Sequence, residues 1–138
     1  MERSRSQSQA ITSAVLAAAF DAIITIDHRG VVVEWNSAAE RLFGYARSEA
    51  IGREMAELII PPQLREAHRA GMMNYLANSA GPILRRLVEL PALRADGTEF
   101  PVDLYITPII IEGRPMFTGF ARDATERKAA EDKLRERS

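Results

Sequence analysis

One side chain in this sequence is placed to bind a ligand by a coordinate bond, the imidazole of His68. Leu64, His68, Met72 and Tyr75 follow one another at spacings of four, four and three, so they share one face of a helix. The apolar neighbours make this the inward face, and Gly71 would let a flat ligand or another backbone approach. His68 is therefore either a metal ligand or a structural residue that caps, hydrogen-bonds or fills the core.

The helix that carries His68 needs a framework, and the rest of the sequence predicts one. β-branched and alternating runs, separated by turns rich in Asp and Gly, predict strands at residues 22–26, 31–35, 84–94, 99–110 and 116–122. Helical periodicity predicts helices at residues 9–20, 38–43, 49–51, 54–59, 63–78 and 125–135, the third of them capped by Ser48. This order indicates an α+β domain with one antiparallel sheet and its helices on a single face.

The sequences at the two ends of the chain predict helices that lie outside the central domain. We divide the chain into an N-terminal amphipathic helix (1–20), a central domain (21–124) and a C-terminal linker helix (125–138). The stripe Ile11, Val15 and Ala18 predicts homodimerisation of the first helix. The last helix is charged with a thin apolar stripe, which suits a coiled coil that leads to an effector domain.

Composition excludes several classes of function. With 18 basic and 19 acidic residues among 138, the chain lacks the positive field that nucleic acid or an anionic membrane surface needs. The absence of cysteine excludes disulfides, thiolate metal sites and cysteine nucleophiles, and favours the cytoplasm. The sequence has neither a phosphate-binding glycine loop nor a Gly-x-Ser-x-Gly elbow, so we predict a regulatory domain that is not an enzyme.

Five fragments in a fixed order resemble the PAS family of sensory domains. They are residues 21–27 (DAIITID), 35–45 (WNSAAERLFGY), 49–52 (EAIG), 94–102 (RADGTEFPV) and 122–127 (RDATER). The resemblance covers about residues 20–125 and implies a five-stranded antiparallel sheet in the order 2-1-5-4-3, with helices over a small-molecule cavity. It also implies that Asp123 and Thr125 pass the signal from the last strand to the C-terminal helix. Thr125 could equally be the cap of that helix.

Residues 60–68 resemble the helix of haem-binding PAS oxygen sensors, in which the corresponding histidine holds the iron. The resemblance implies a cavity lined by His68, Met72, Ile83, Leu104 and Ile106. Val88 stands where those sensors have an arginine that contacts oxygen, so gas switching through that arginine is not predicted. Haem at His68, another ligand and no cofactor at all remain open.

The function predicted from these patterns is a sensing and dimerisation module of a bacterial signalling protein. A sensor histidine kinase is the first candidate for the whole protein and a diguanylate cyclase the second. The alternatives are a haem-based gas sensor with His68 as the iron ligand and a ligand-free structural spacer. Two smaller expectations concern aromatic and charged residues. Trp35 and Tyr45 are expected in the core, with stacking on a flavin as the alternative, and Glu40 with Arg41, or Glu89 with Arg94, could form exposed ion pairs of little energetic value.

Overall fold

A five-stranded antiparallel sheet forms the centre of the molecule. The structure is a computed structural model and describes residues 21–78 and 84–137. Its strands are β1 (Ala22–Ile26), β2 (Val32–Trp35), β3 (Leu87–Leu93), β4 (Glu99–Ile111) and β5 (Arg114–Asp123). They lie in the order β2-β1-β5-β4-β3, and all neighbours are antiparallel. The predicted fold class and strand order are confirmed.

The predicted hairpins form because their turn residues adopt conformations that strand residues avoid. Gly30 and Gly97 have φ of 83° and 88°, in the left-handed region that costs glycine little. The third strand starts later than predicted, at Leu87 instead of residue 84. Leu84 makes only an isolated parallel bridge to Ile106, and Arg85 at φ 58° turns the chain before the antiparallel pairing begins.

Five helices accompany the sheet in the part of the chain that the structure describes. They are α1 (Ser37–Phe43), α2 (Arg47–Ala50), α3 (Met55–Ile59), α4 (Pro62–Asn78) and α5 (Thr125–Arg137). Asn36 caps α1, because its Oδ1 accepts from the N–H of Ala39 at 2.9 Å. The prediction that Ser48 caps α2 is wrong: Ala46 occupies the N-cap, and the carboxylate of Glu49 accepts from its N–H at 2.9 Å.

The core lies between the sheet and helices α1 to α4. Trp35 is 1% exposed, and its Nε1 donates to the carbonyl of Tyr45 at 3.0 Å. Ring centroids lie 5.7 Å apart for Trp35 and Phe43, and 5.9 Å apart for Phe43 and Phe100. These aromatic contacts join the first hairpin, α1 and β4. The prediction that Trp35 is a core residue is confirmed, and Tyr45 packs against the same cluster.

Strand alternation divides the sheet into two different faces. The inner face, below α4, carries the buried side chains Ile24, Phe117 and Val102. On the opposite face, which we call the outer face, the strand register aligns residues into rows that cross the sheet. One row is Leu87–Tyr105–Phe120–Ile23, and the next is Glu89–Asp103–Arg122. The outer face therefore has an apolar row beside a charged row.

Candidate sensory site and signal junction

The predicted inward face of α4 is the partly buried one. Leu64, His68, Met72 and Tyr75 are all partly buried, whereas Arg69 on the opposite side is exposed. The spacing of apolar residues therefore predicted the orientation of this helix correctly. His68 lies on this partly buried face.

Two contacts along this face hold α4 to the rest of the domain. The Tyr75 ring meets Phe117 of β5 edge-on, with centroids 5.2 Å apart and planes at 71°. Met72 packs beside the first hairpin turn, where a Cβ on Gly30 would lie 3.6 Å from its Sδ. α4 is thus held at the β1–β2 turn and on the inner face of β5.

Two arginines on either side of His68 hold the start of α4. Arg65 Nε donates to the carbonyls of Ile60 at 2.9 Å and Ala56 at 3.0 Å, in the last turn of α3, where the Ala56 carbonyl also accepts from the Ile60 N–H. Arg69 forms a two-pronged salt bridge with Glu54, at 2.7 and 2.9 Å. The first turns of α4 are therefore connected to the segment that precedes them.

Burial gives His68 the chemistry of a neutral imidazole. Loss of solvation lowers its pKa below the ordinary 6.5, Arg69 lowers it further, and Glu54 opposes both. The imidazole is therefore mainly uncharged at neutral pH. A neutral ring has a lone pair that can coordinate a metal or accept a hydrogen bond.

Leu104 and Ile106, the predicted opposite wall, lie on the inner face of β4. Both are partly buried and pack against the same core cluster as Met72. Val88 pairs with Leu104 across β3 and β4. Ile83, the remaining predicted lining residue, lies outside the described residues, as do Ile11, Val15 and Ala18 of the predicted dimerisation stripe.

The signal junction predicted at Asp123 and Thr125 is a compact set of hydrogen bonds. Oδ1 of Asp123 accepts from the Thr125 N–H at 2.8 Å and from its hydroxyl at 2.5 Å. Oδ2 accepts from Arg94 at 3.0 Å, and the Arg94 guanidinium lies 3.7 Å from the Phe100 ring centroid. Asp123, and not Thr125, supplies the acceptor at the start of α5. It joins the end of β5 to the β3–β4 hairpin.

Arg127 was not predicted as a site residue, but it makes a further set of contacts, which we call the α5 clamp. Its guanidinium donates to Glu89 of β3 at 2.6 Å, to Asp103 of β4 at 2.8 Å and to Glu131 at 2.7 Å. Lys128 adds a salt bridge to Glu89 at 3.0 Å. The side chains of Arg127 and Glu89 are 41% and 34% exposed, so solvent screens these pairs.

The α5 clamp corrects one sequence-based expectation. Glu89 pairs with Arg127 and Lys128, and Arg94 pairs with Asp123, so the predicted Glu89–Arg94 pair is wrong. The two residues lie near opposite ends of β3, too far apart along an extended strand. The hydrogen bonds from Arg127 and Lys128 lower the pKa of Glu89. One contact of Arg127 could have been predicted from the sequence, because Arg127 and Glu131 have the i,i+4 spacing of a helical ion pair.

In residues 21–78 and 84–137, neither a membrane-crossing helix nor a cluster of metal ligands is found. None of the helices there is long and apolar enough to cross a membrane. That same part of the chain has no cluster of three or more His, Cys, Asp or Glu side chains that would hold a metal ion without a cofactor. His68 lies on the partly buried face of α4, and a ligand cavity beside it stays a prediction.

The chain belongs to the PAS family. The model of the PAS fold matches residues 11–124. The crystal structure of a PAS domain from a Colwellia psychrerythraea protein superposes with a TM-score of 0.70 at 25% identity, covering 86% of this chain and 98% of that one. The predicted membership is confirmed, and the PAS fold is a regulatory and sensory fold.

Two curated relatives are sensors. The sensor protein FixL of Bradyrhizobium diazoefficiens is 37% identical over 116 residues, which are 84% of this chain and 23% of that protein. The oxygen sensor protein DosP of Escherichia coli is 26% identical over 113 residues, which are 82% of this chain and 14% of that protein. The chain thus spans less than a quarter of these relatives, and it is similar to their sensory domains.

Proposed function

We propose that this domain senses a small molecule below α4 and passes the change in packing to α5. The observation that carries the proposal is the position of β4 between the two regions. Leu104 and Ile106 lie on the inner face of β4, below α4, and Asp103, next to Leu104 on the other face, accepts the Arg127 hydrogen bond. A displacement of β4 by a ligand moves both faces of the strand together.

The α5 clamp is weak enough for such a relay. Exposed ion pairs each contribute little, because solvent screens them and ordering long side chains costs entropy. A shift of α5 between two positions needs a free-energy difference of only a few kcal/mol, which a small ligand can supply by binding one packing better. A ligand therefore needs only a small difference in binding free energy to move α5.

We further propose that α5 continues into an effector domain of a longer, cytoplasmic signalling protein, with a sensor histidine kinase as the first candidate. The short span of this chain within FixL and DosP supports the presence of other domains in those proteins. The exposed Leu134 on α5, at 68%, supports a paired helix in a homodimer. In this proposal the domain regulates and any catalysis belongs to the effector.

A packing change that imitates a ligand tests the relay. We expect Ile106→Phe, which enlarges a partly buried side chain below α4, to change the hydrogen exchange of the α5 amides. Ile110→Phe is the matched control, because Ile110 has the same parity on β4 but is 78% exposed. Unchanged α5 exchange in a folded Ile106→Phe protein would contradict the relay and favour the structural spacer.

Haem-based gas sensing is the second candidate, and the neutral, partly buried His68 favours it. The chemistry of these residues suits the group, because His68 is the imidazole on the partly buried face of α4, and Leu104 and Ile106 are apolar residues on the inner face of the sheet. His68 would hold the iron, and the bound haem would supply reversible binding of a diatomic gas. The similarity to a protein named as an oxygen sensor supports this candidate.

Hemin titration of the purified chain tests the haem proposal separately from the relay. We expect a sharp Soret band that saturates with one equivalent of hemin, and its loss in His68→Ala. His28→Ala is the matched control, because His28 is the other histidine of the sequence and lies in the β1–β2 turn. An equal spectrum for the two variants, or no uptake by the unaltered chain, would rule out His68 as the iron ligand.

A further inference from the structure

The two outermost strands of the sheet differ in what lies beside them. β2 is bordered by the segment before α3: the Val32 N–H donates to the Arg53 carbonyl at 2.9 Å, and the Val32 carbonyl accepts from the Gly52 N–H at 2.9 Å. β3, at the other end of the sheet, pairs only with β4 in the part of the chain that the structure describes. We call the second side of β3 the open edge. An edge of this kind can pair with the same edge of a second copy, which joins two sheets into one.

One hydrogen bond shows which backbone groups of β3 point to the open edge. The Arg94 N–H donates to the Thr98 carbonyl at 2.9 Å, so these two opposed residues form a hydrogen-bonded pair. Along an antiparallel ladder, hydrogen-bonded pairs alternate with pairs whose N–H and C=O groups point away from each other. Counted along the register from Arg94, the residues of β3 that point away from β4 are the odd-numbered ones, Leu87, Glu89, Pro91 and Leu93.

Pro91 leaves this row of outward-pointing groups without one N–H. It lies directly opposite Pro101 of β4. The Pro101 carbonyl accepts from the Ala124 N–H at 2.9 Å, so the Pro101 backbone points to the β5 side and the Pro91 backbone points to the open edge. Pro91 is exposed, so it does not serve to fill the core. Proline costs β3 no ladder bond here, and its effect falls on whatever strand approaches from outside.

A second proline is placed in the same way on β5. The Ala124 N–H points to β4, so by alternation the odd-numbered residues of β5 point to β1. Phe117 pairs with Ile26, the last residue of β1. Pro115 is two positions before Phe117 and has the same direction, so its backbone points to the side of β5 that β1 does not reach. In two strands, therefore, proline occupies a position whose N–H would be free to pair with another chain.

We propose that Pro91 prevents the open edge of β3 from pairing with β3 of a second copy of this chain. Two β3 strands aligned antiparallel over their full length would be related by a two-fold axis beside Leu90. Residue 91 of each copy would then lie opposite Glu89 of the other. Proline has no N–H for the Glu89 carbonyl to accept, and its ring occupies the space of the approaching strand. Because these positions flank the axis, the ladder is broken at its centre.

Pro91→Thr tests the proposal, because threonine restores the N–H, favours strands and adds no large apolar surface. We expect Pro91→Thr to form a larger species than the unaltered chain in sedimentation velocity, in a fraction that rises with protein concentration. Pro101→Thr is the matched control. It makes the same chemical change at the directly opposite position, where the restored N–H points to β5, and it should keep the size of the unaltered chain.

Hydrogen exchange identifies the surface through which the copies associate. The amides of Glu89 and Leu93 point to the open edge, so we expect them to exchange about tenfold more slowly or less in the larger species. An unchanged size of Pro91→Thr at every concentration overturns the proposal, and so does association without protection of these two amides. The same association by Pro101→Thr also overturns it. Neither measurement uses hemin or the exchange of α5, so the result is independent of the proposed sensory function.

Discussion

α4 and α5 are attached to the same sheet by different forces. α4 lies on the inner face and is held by packed side chains, with Tyr75 against Phe117 and Met72 against the turn at Gly30. α5 is held by charges at the surface, chiefly through Arg127. Exposed ion pairs weaken as salt screens them, whereas screening does not weaken the burial of apolar area.

The difference suits the two tasks that we propose for these helices. A helix that closes a pocket must stay in place while the ligand comes and goes. A helix that reports the state of the pocket must change position at small cost. The predictions below test this contrast, in order of decreasing effect on the free energy of unfolding.

The largest effect is expected from removing the ring that anchors α4. Phe117→Ala leaves a cavity beside Tyr75 in a site that is 6% exposed, so we expect a loss of about 3–5 kcal/mol in the free energy of unfolding. Urea denaturation measures it. Leu87→Ala, at a site that is 70% exposed, should change this free energy by about 0.5 kcal/mol or less. Similar losses in the two variants would contradict the proposed division of the sheet into faces.

A smaller effect is expected at the junction. Asp123→Ala removes the acceptor for Thr125 and the partner of Arg94, so we expect a loss of about 1 kcal/mol together with faster amide exchange in the first turn of α5. Asp123→Asn keeps one acceptor oxygen and should lose less. Glu136→Gln, near the other end of α5, is the control. If the Asp123 variants unfold at the same urea concentration as the control, the junction contributes nothing to stability.

Acidification should destabilise the domain through His68. Because the pKa of folded His68 lies below the ordinary 6.5, the unfolded chain takes up a proton first as the pH falls. Stability is therefore lost from about pH 6.5 down to the folded pKa, and it is unaffected at higher pH. The free energy of unfolding should fall more steeply in this window for the unaltered chain than for His68→Gln. Parallel curves would mean that His68 titrates alike in both states.

The smallest effect on global stability, and the largest on local motion, is expected from Arg127→Gln. The substitution removes hydrogen bonds to Glu89, Asp103 and Glu131, all at the surface. We expect faster hydrogen exchange throughout α5 and a weaker dependence of that exchange on salt concentration, because only the Lys128–Glu89 salt bridge of the α5 clamp is left, while α4 exchanges as before. Lys133→Gln, at an exposed position of the same helix, is the control. A salt dependence as large in Arg127→Gln as in the unaltered chain would contradict the role given to Arg127.

The local features of the fold were predictable because their causes are local. The turns at Gly30 and Gly97 need a backbone conformation that glycine adopts readily. The face of α4 follows from the spacing of Leu64, Met72 and Tyr75. The two wrong predictions, the Ser48 cap and the start of β3, are each displaced by a few residues along the chain. In both cases a nearby residue decided where the element begins. Glu49 made Ala46 an adequate cap, and the conformation of Arg85 delayed the strand.

The sequence by itself determined the elements, their order and the face of α4 that carries His68, because helical periodicity and strand alternation depend on residues close together in the chain. Only the tertiary structure decided which charges meet. Arg127 reaches Glu89 across 38 positions, and Arg94 reaches Asp123 across 29. The sheet register and the course of α5 over β4 bring the partners of these pairs together. A side chain selects its partner by distance in space, which residue spacing along the chain does not specify.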